Sequence, residues 1–192
     1  MKSVLISINP KWVAKIASGE KTVEVRRTRP KLDLPFKCYI YCTNDPKCLL
    51  LKDDRDGKLK VGYNGNFYHH GLKMGWNCKV IGEFVCAGFD EFIPTENGIM
   101  IGRFASLHDT CLKVSEMRDY LKGKKGYGWR ISDLKIYDEP KELSDFMKPC
   151  DHINDCCTCR RYQSQMYGFS RCKDTITRPP QSYMFVEEKS ND

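Results

Sequence analysis

The chain has 192 residues, of which 41% are hydrophobic and 30% are charged. These are ordinary values for one soluble globular domain. No apolar run approaches the roughly 18 residues that a membrane-spanning helix requires. The N-terminus has only a short apolar stretch before Pro10, which is unlike a secretory signal peptide. We therefore expect a cytoplasmic protein that has no membrane partner.

Positive charge is concentrated at the N-terminal end. The net charge is +7, and residues 1–31 hold eight Lys and Arg residues against two Glu residues, so six of the seven net charges lie there. Such a local excess favours a polyanionic partner. The alternative is a solvated surface whose charge is compensated by acidic residues that folding brings close.

The first part of the sequence predicts a strand, a helix and a second strand. Residues 3–8, SVLISI, are rich in β-branched side chains and predict a strand. The helix that follows has Asn9 as its cap, Pro10 at its first position and Gly19 at its C-terminal turn. Residues 21–27, KTVEVRR, alternate polar and apolar side chains with the period of a strand.

The rest of the chain predicts more strands than helices. A hairpin is predicted over residues 48–61, with Asp56-Gly57 at its turn, and the glycine-rich residues 62–77 predict a loop. Further strands are predicted at residues 36–43, 127–138 and 182–188, and residues 78–93 predict one long strand or two strands broken near Gly88. Two short helices are predicted, one at residues 115–124 with Ser115 as its cap and one at residues 140–147 with Pro140 at its start. This pattern favours an α+β domain built on a mixed or closed β-sheet.

Charged side chains lie close together at the second predicted strand. The alternation places Glu24 and Arg26 on one face, about 7 Å apart, and Val23 and Val25 on the other. A carboxylate held by an arginine stays ionised and can accept a hydrogen bond from the exocyclic amine of a base. Lys21, at the first residue of the strand, can reach a phosphate or a carbonyl group, or act as a base once it has lost its proton. A surface ladder of ion pairs is the alternative.

The spacing Gly-x-Lys-x-x-Glu-x-Arg resembles the motif of the ASCH domain family, a branch of the PUA-like superfamily. In GEKTVEVR the matching residues are Gly19, Lys21, Glu24 and Arg26. The preceding SINPKWVAKIASG is similar to the family's opening strand and helix. The stretches GWRISDLKIYDEPKEL and ITRPPQSYMFVEE are similar to ASCH-type proteins of phages and prophages. The resemblance therefore touches both ends of the chain.

The resemblance implies a single ASCH-type domain over residues 1–192. Its fold would be a small PUA-like β-barrel with peripheral helices and a cysteine-rich loop near the C-terminus. A hairpin and loop insertion at residues 44–77 and the cysteine-rich segment at residues 150–174 lie outside the core motif.

The resemblance also implies a function, because PUA-like domains usually bind RNA, often modified RNA. We expect a basic cleft that binds RNA or a modified nucleotide, with a regulatory role. Aromatic side chains in such a cleft can stack on a base. The expected nucleic-acid-binding residues are Lys21, Glu24, Arg26, Arg27 and two aromatic cleft walls, Trp129 and Tyr183.

Two other functions are compatible with the same motif. The first is a small amidohydrolase acting on N4-acylated cytidine, or a ribonuclease, with Lys21 and Glu24 as catalytic residues. Hydrolase-like members can have a hydroxyl residue where Glu24 stands, so hydrolysis here would need a second carboxylate, for which Glu91 and Asp133 are the candidates. The second is a phage-derived protein-interaction module whose cleft is vestigial.

Five of the eleven cysteines crowd into residues 150–172. The spacing C-x5-C-x2-C-x12-C predicts a closed structural zinc site with the ligands Cys150, Cys156, Cys159 and Cys172. Cys157 or His152 can replace one of these ligands, and the alternative is a set of reduced thiols or an opportunistic disulfide. The other six cysteines are interpreted as small buried hydrophobes: Cys38, Cys42, Cys48, Cys78, Cys86 and Cys111.

Overall fold

Strands predominate over helices in the structure, a computed structural model that describes residues 3–63, 71–73, 75–102, 105–149 and 175–188. The strands are β1 Ser3–Ile8, β2 Val23–Arg26, β3 Phe36–Cys42, β4 Cys48–Asp53, β5 Leu59–Tyr63, β6 Leu72–Lys73, β7 Val80–Thr95, β8 Gly98–Ile101, β9 Gly126–Lys141, β10 Phe146–Met147 and β11 Tyr183–Glu188. The helices are α1 Pro10–Ala17, α2 Leu107–Thr110 and α3 Val114–Leu121, and a 3-10 turn covers Leu143–Asp145. None of the described helices is long and apolar enough to cross a membrane. The predicted α+β class is confirmed.

The larger sheet has the strand order β10-β11-β1-β3-β7-β9-β2, and β8 adds to β7. β1 lies between the parallel strand β3 and the antiparallel strand β11, and all six of its residues are buried. β7 and β9 each have 16 residues and pair in antiparallel fashion with three irregularities of register. Irregularities of this kind bend and twist a strand pair, which allows two long strands to curve together.

The predicted β-barrel is not closed within the described residues. β2 and β10 lie at the two ends of the sheet, and the pairings among the described strands do not join them. Thr22, just before β2, donates its backbone N–H to the carbonyl of Asp109 in α2. A helix therefore lies beside this end of the sheet, where a closing strand would have to pair.

The second sheet is small and contains β5, β4 and β6 in that order. Its first two strands form the hairpin predicted over residues 48–61, and Gly57 at the turn has a φ of +69°, which glycine adopts without strain. Leu50 and Leu59 from this hairpin share one core cluster with Val13 and Ile16 of α1. The hairpin is thus packed against the first helix.

Most of the scattered cysteines have the predicted environment. The buried ones are Cys38, Cys42, Cys48 and Cys86. Burial raises the pKa of the Cys38 and Cys42 thiols, and that of Cys86 to about 11. Thiols of this kind stay protonated at neutral pH and behave as small apolar groups. Cys78 is exposed and Cys111 is half-buried, so the interpretation is corrected for these two.

The prediction of a helix at residues 140–147 is wrong, because β9 continues through Pro140 to Lys141. The β7–β9 register runs from Ile136 to Lys141 across an irregularity, so Pro140 sits where the ladder requires no backbone N–H from it. The strand is followed by the 3-10 turn and by β10. β8 and α2 were not predicted from the sequence. The cap of α3 is Lys113, two residues before the predicted cap Ser115.

Candidate functional site

β2 carries the charged motif to the end of the large sheet. Its four residues pair with residues 127–130 of β9, and all four are buried. Val23 and Val25 pack into a core cluster with Phe92, Met117 and Leu121. On the opposite face, Glu24 and Arg26 line a cavity. The alternation predicted from the sequence therefore separates an apolar face from a charged one.

Three charged side chains meet at the floor of this cavity, which we call the central cavity. Nζ of Lys21 lies 3.3 Å from Oε2 of Glu24, and Nη2 of Arg26 lies 3.0 Å from Oε1 of the same carboxylate. The exposed fractions of the three side chains are only 2%, 8% and 9%. Glu24 thus bridges two cations in a largely desolvated place, and the cluster keeps one net positive charge.

The ammonium group of Lys21 is surrounded by acceptors. Besides its contact with Glu24, it donates to the backbone carbonyls of Val23, at 2.9 Å, and of Thr110, at 2.7 Å. A lysine ammonium has three N–H donors and no acceptor. The three acceptors around Nζ match the three N–H donors of the ammonium group. Lys21 therefore links the end of α2 to the start of β2 by hydrogen bonds.

Arg26 contacts Glu24 from the other side and is also bound to β1. Its Nη2 donates to the carbonyl of Ser7 in β1 as well as to Glu24. Its Nε is buried and has no hydrogen-bond partner among the described residues. A buried donor left without a partner costs about 1–3 kcal/mol, so this arrangement of Arg26 lowers the stability of the fold.

The central cavity has a volume of about 360 Å³ and is walled by helices α1 and α3. Trp12 of α1 lines one part of it, with its ring centre 5.3 Å from Nζ of Lys21, and Tyr120 of α3 also lines it. Both aromatic side chains are half-buried. Rings placed in this way can stack on a planar ligand.

The cavity brings together residues that the sequence did not single out. Tyr120 and Glu116 of α3 were not predicted to lie here, and Trp12 is an aromatic residue able to stack on a base that was not chosen as a cleft wall. A signal for α3 exists, because Glu116 and Tyr120 are four residues apart and so share one face of a helix. The acceptor on Thr110 is a backbone carbonyl, which every residue has, and no sequence pattern could have marked it.

Neither candidate for a second catalytic carboxylate lines the central cavity. Glu91 is half-exposed and pairs with Lys125, and Asp133 is exposed on β9. Besides Glu24, the cavity is lined by the carboxylate of Glu116, which accepts the backbone N–H of Lys113 as part of the α3 cap.

The other expected nucleic-acid-binding residues are separated by the fold. Arg27 is exposed and donates its Nε to the carbonyl of Tyr120, so it lies beside the central cavity. Trp129 is fully buried, with its ring packed against Phe36 and Phe89. It belongs to the core, which corrects its expected place in the cleft wall. Tyr183 is half-buried and packs on Trp129, with ring centres 5.3 Å apart, and does not line the central cavity.

The predicted zinc ligands lie outside the described residues, at positions 150–172. Among the residues that the structure does describe, no group of three or more His, Cys, Asp or Glu side chains could hold a metal ion. The zinc site thus rests on the sequence pattern.

Comparison with known proteins gives a structural likeness. No protein-family model and no curated protein matches the chain by sequence. The structure is similar to the crystal structure of ASCH from Zymomonas mobilis, with a TM-score of 0.50 and 18% identity over 96% of this chain and 87% of that one. A mutant form of the same protein gives a TM-score of 0.51 and 19% identity over 97% and 91% of the two chains. The chain therefore has the fold of an ASCH protein.

Proposed function

We propose that the central cavity binds one base of an RNA or of a modified nucleotide. The observation that carries this proposal is the buried Lys21–Glu24–Arg26 cluster, whose carboxylate and guanidinium side chains line a cavity with aromatic walls. The ASCH fold supports it, because the resemblance implies RNA binding. A regulatory role belongs to the same proposal.

The chemistry of the cavity floor matches the edge of a cytosine. Each carboxylate oxygen of Glu24 contacts one cation, and a carboxylate oxygen has a second lone pair with which to accept from an exocyclic amine. Glutamate accepts from N4 of cytosine in protein–nucleic acid complexes. The Arg26 guanidinium, which also lines the cavity, is the candidate donor to a neighbouring acceptor on the same base edge. Binding cavities usually measure about 300–1,000 Å³, so a volume of about 360 Å³ suits a single nucleoside.

We expect the protein to bind cytidine more tightly than uridine, by about 5- to 150-fold, because uridine has no exocyclic amine for Glu24. Glu24→Gln should remove most of this preference, since its amide can donate to O4 of uridine. Calorimetric titration of both nucleosides measures the ratio of affinities, and the ratio does not depend on the fraction of protein that is folded.

Glu116→Gln is the matched control, because it changes the other carboxylate on the cavity wall in the same way. It should leave the ratio unchanged. Equal affinity of the wild-type protein for the two nucleosides, or a ratio that Glu24→Gln does not alter, would contradict the proposal.

Hydrolysis of N4-acylated cytidine is the second candidate function. In its favour, Nζ of Lys21 lies 3.3 Å from the Glu24 carboxylate, a distance that allows proton transfer in a relaxed site. The three acceptors around Nζ favour the ammonium form, whereas a general base must first lose that proton, so binding is the better-supported function. Formation of cytidine from N4-acetylcytidine by the wild-type protein, and its loss in Lys21→Ala, would favour the hydrolase.

If the protein binds neither nucleosides nor RNA, the third alternative, a phage-derived protein-interaction module, gains support.

We also propose the structural zinc site at Cys150, Cys156, Cys159 and Cys172, on the strength of its C-x-x-C spacing. Protein purified without chelators should contain about one zinc ion per chain by elemental analysis. Cys156→Ser with Cys159→Ser should abolish it. Cys78→Ser with Cys111→Ser removes two thiols elsewhere and should leave the zinc content unchanged. Native protein that contains no zinc would exclude the site.

A further inference from the structure

A second cavity lies just beyond β2. Residues Arg27 to Leu34, together with the rings of Phe89 and Tyr127, line a groove of about 840 Å³, which we call the Arg27–Leu34 groove. It is more than twice as large as the central cavity, whose volume is about 360 Å³. The residues of the groove follow the GEKTVEVR motif directly in the chain, and the binding of one base in the central cavity leaves the groove without a role.

The Arg27–Leu34 groove combines positive charge with aromatic surface. Its charged lining residues are Arg27, Arg29, Lys31 and Asp33, which leaves a net charge of +2. The guanidinium of Arg29 lies 5.4 Å from the ring centres of both Phe89 and Tyr127. Within the described residues, Arg29 and Lys31 form no ion pair with a carboxylate, and both are exposed. An uncompensated charge held over aromatic rings is typical of surfaces that bind single-stranded nucleic acids.

The groove and the central cavity share a wall. Arg27 lines the groove and Tyr120 lines the central cavity. The two side chains are in contact, with Nε of Arg27 donating to the Tyr120 carbonyl at 2.8 Å and its guanidinium 4.9 Å from the Tyr120 ring centre. A chain that leaves the central cavity across this pair enters the groove.

We propose that the Arg27–Leu34 groove binds the nucleotides that flank the base in the central cavity, so that the ligand is single-stranded RNA. This inference rests on the proposed function. The bases of a duplex are stacked and paired, and a base must leave that stack to enter a buried cavity. Arg27, Arg29 and Lys31 contact phosphates, and Phe89 and Tyr127 offer ring faces to a neighbouring base.

The test uses the whole protein and a fluorescently labelled single-stranded RNA of about ten nucleotides, a length that one binding fold of this size can cover. For single strands, each phosphate contact contributes about 0.7 to the slope of log affinity against log salt, so Arg29→Ala with Lys31→Ala should lower that slope by about 1.4. The affinity for cytidine, which reaches only the central cavity, should not change.

Lys47→Ala with Lys135→Ala is the matched control, because it removes two exposed positive charges that line neither the central cavity nor the groove. It should change the slope of log affinity against log salt much less.

Tyr127→Leu keeps apolar bulk and should weaken RNA binding by about 5- to 150-fold through lost stacking. Phe185→Leu removes an exposed ring from β11 and is its control.

The outcomes separate this inference from the proposed function. If the groove variants bind RNA with the affinity and slope of their controls while cytidine binding persists, the groove proposal is overturned and the central cavity stands. If neither cytidine nor RNA binds, both proposals fall. If poly-glutamate of the same charge competes as well as unlabelled RNA, the groove recognises polyanions in general, and the RNA assignment is overturned.

Discussion

Glu24→Gln is expected to lower the free energy of unfolding by about 3–5 kcal/mol, which is the usual cost of removing one partner from a buried ion pair. The carboxylate of Glu24 is the shared partner of Lys21 and Arg26, and the three side chains are at most 9% exposed. Without it, two cations face each other in a site that water screens poorly. A domain with a stability of about 5–15 kcal/mol can remain folded after this loss, so its binding can still be measured.

Urea denaturation of the wild-type and variant proteins measures the change. Glu20→Gln is the matched control, because Glu20 pairs with Lys15 at a similar distance, 2.9 Å, but with 59% of its side chain exposed. Exposed pairs contribute little to stability, so no resolvable change is expected there. A Glu24 variant that unfolds at the same urea concentration as the Glu20 variant would show that the cluster is not desolvated in solution.

Trp129→Ala is expected to cost about 3–5 kcal/mol of stability, because it empties the centre of an aromatic cluster. The ring is fully buried, and the ring centres of Phe36, Phe89 and Tyr183 lie between 5.3 and 5.9 Å from it. Its indole Nε1 is buried and has no hydrogen-bond partner among the described residues. Trp129→Phe should therefore cost much less, since it keeps an aromatic ring and removes an unsatisfied donor.

Variants of Trp129 also show whether this side chain belongs to the core or to the wall of the binding cavity. As a core residue, Trp129 offers no surface to a ligand, so the folded fraction of Trp129→Phe should bind cytidine as the wild-type protein does. Thermal unfolding followed by titration at a temperature where both proteins are folded provides the comparison. A Trp129→Phe variant that is stable but binds cytidine more weakly than the wild-type protein would show that Trp129 contributes to the binding site.

Local sequence patterns were sufficient to predict the helix α1 and the strand β2 near the N-terminal end. Asn9 accepts the backbone N–H of Lys11, and Pro10 begins α1, as the capping residues predicted. The period of two placed Glu24 and Arg26 on one face of β2. These features depend on neighbouring residues, so a short stretch of chain is enough to specify them.

Features that depend on distant parts of the chain could not be predicted. Trp129 was assigned to the cleft wall because it lies beside Arg130 in the sequence, whereas its burial depends on packing against Phe36 and Phe89 from distant strands. Tyr120 reaches the central cavity only because α3 folds back over β2. The pairing of Glu24 with Arg26 was expected, whereas the anchoring of Lys21 on the carbonyl of Thr110 required the position of α2. Whether the sheet closes depends on pairings between its ends, which no local pattern encodes.

The position of β1 in the large sheet has a consequence for synthesis on the ribosome. This strand is translated before both of its neighbours. Its neighbour β3 follows soon after, but β11 is made only when residues 183–188 have been translated. At about 5–20 residues per second, the intervening chain takes on the order of ten seconds to make. During that time one edge of a largely apolar strand has no partner, which is the situation in which strands pair with other chains. We expect nascent or prematurely terminated chains to need a chaperone over this edge, although the finished protein buries it completely.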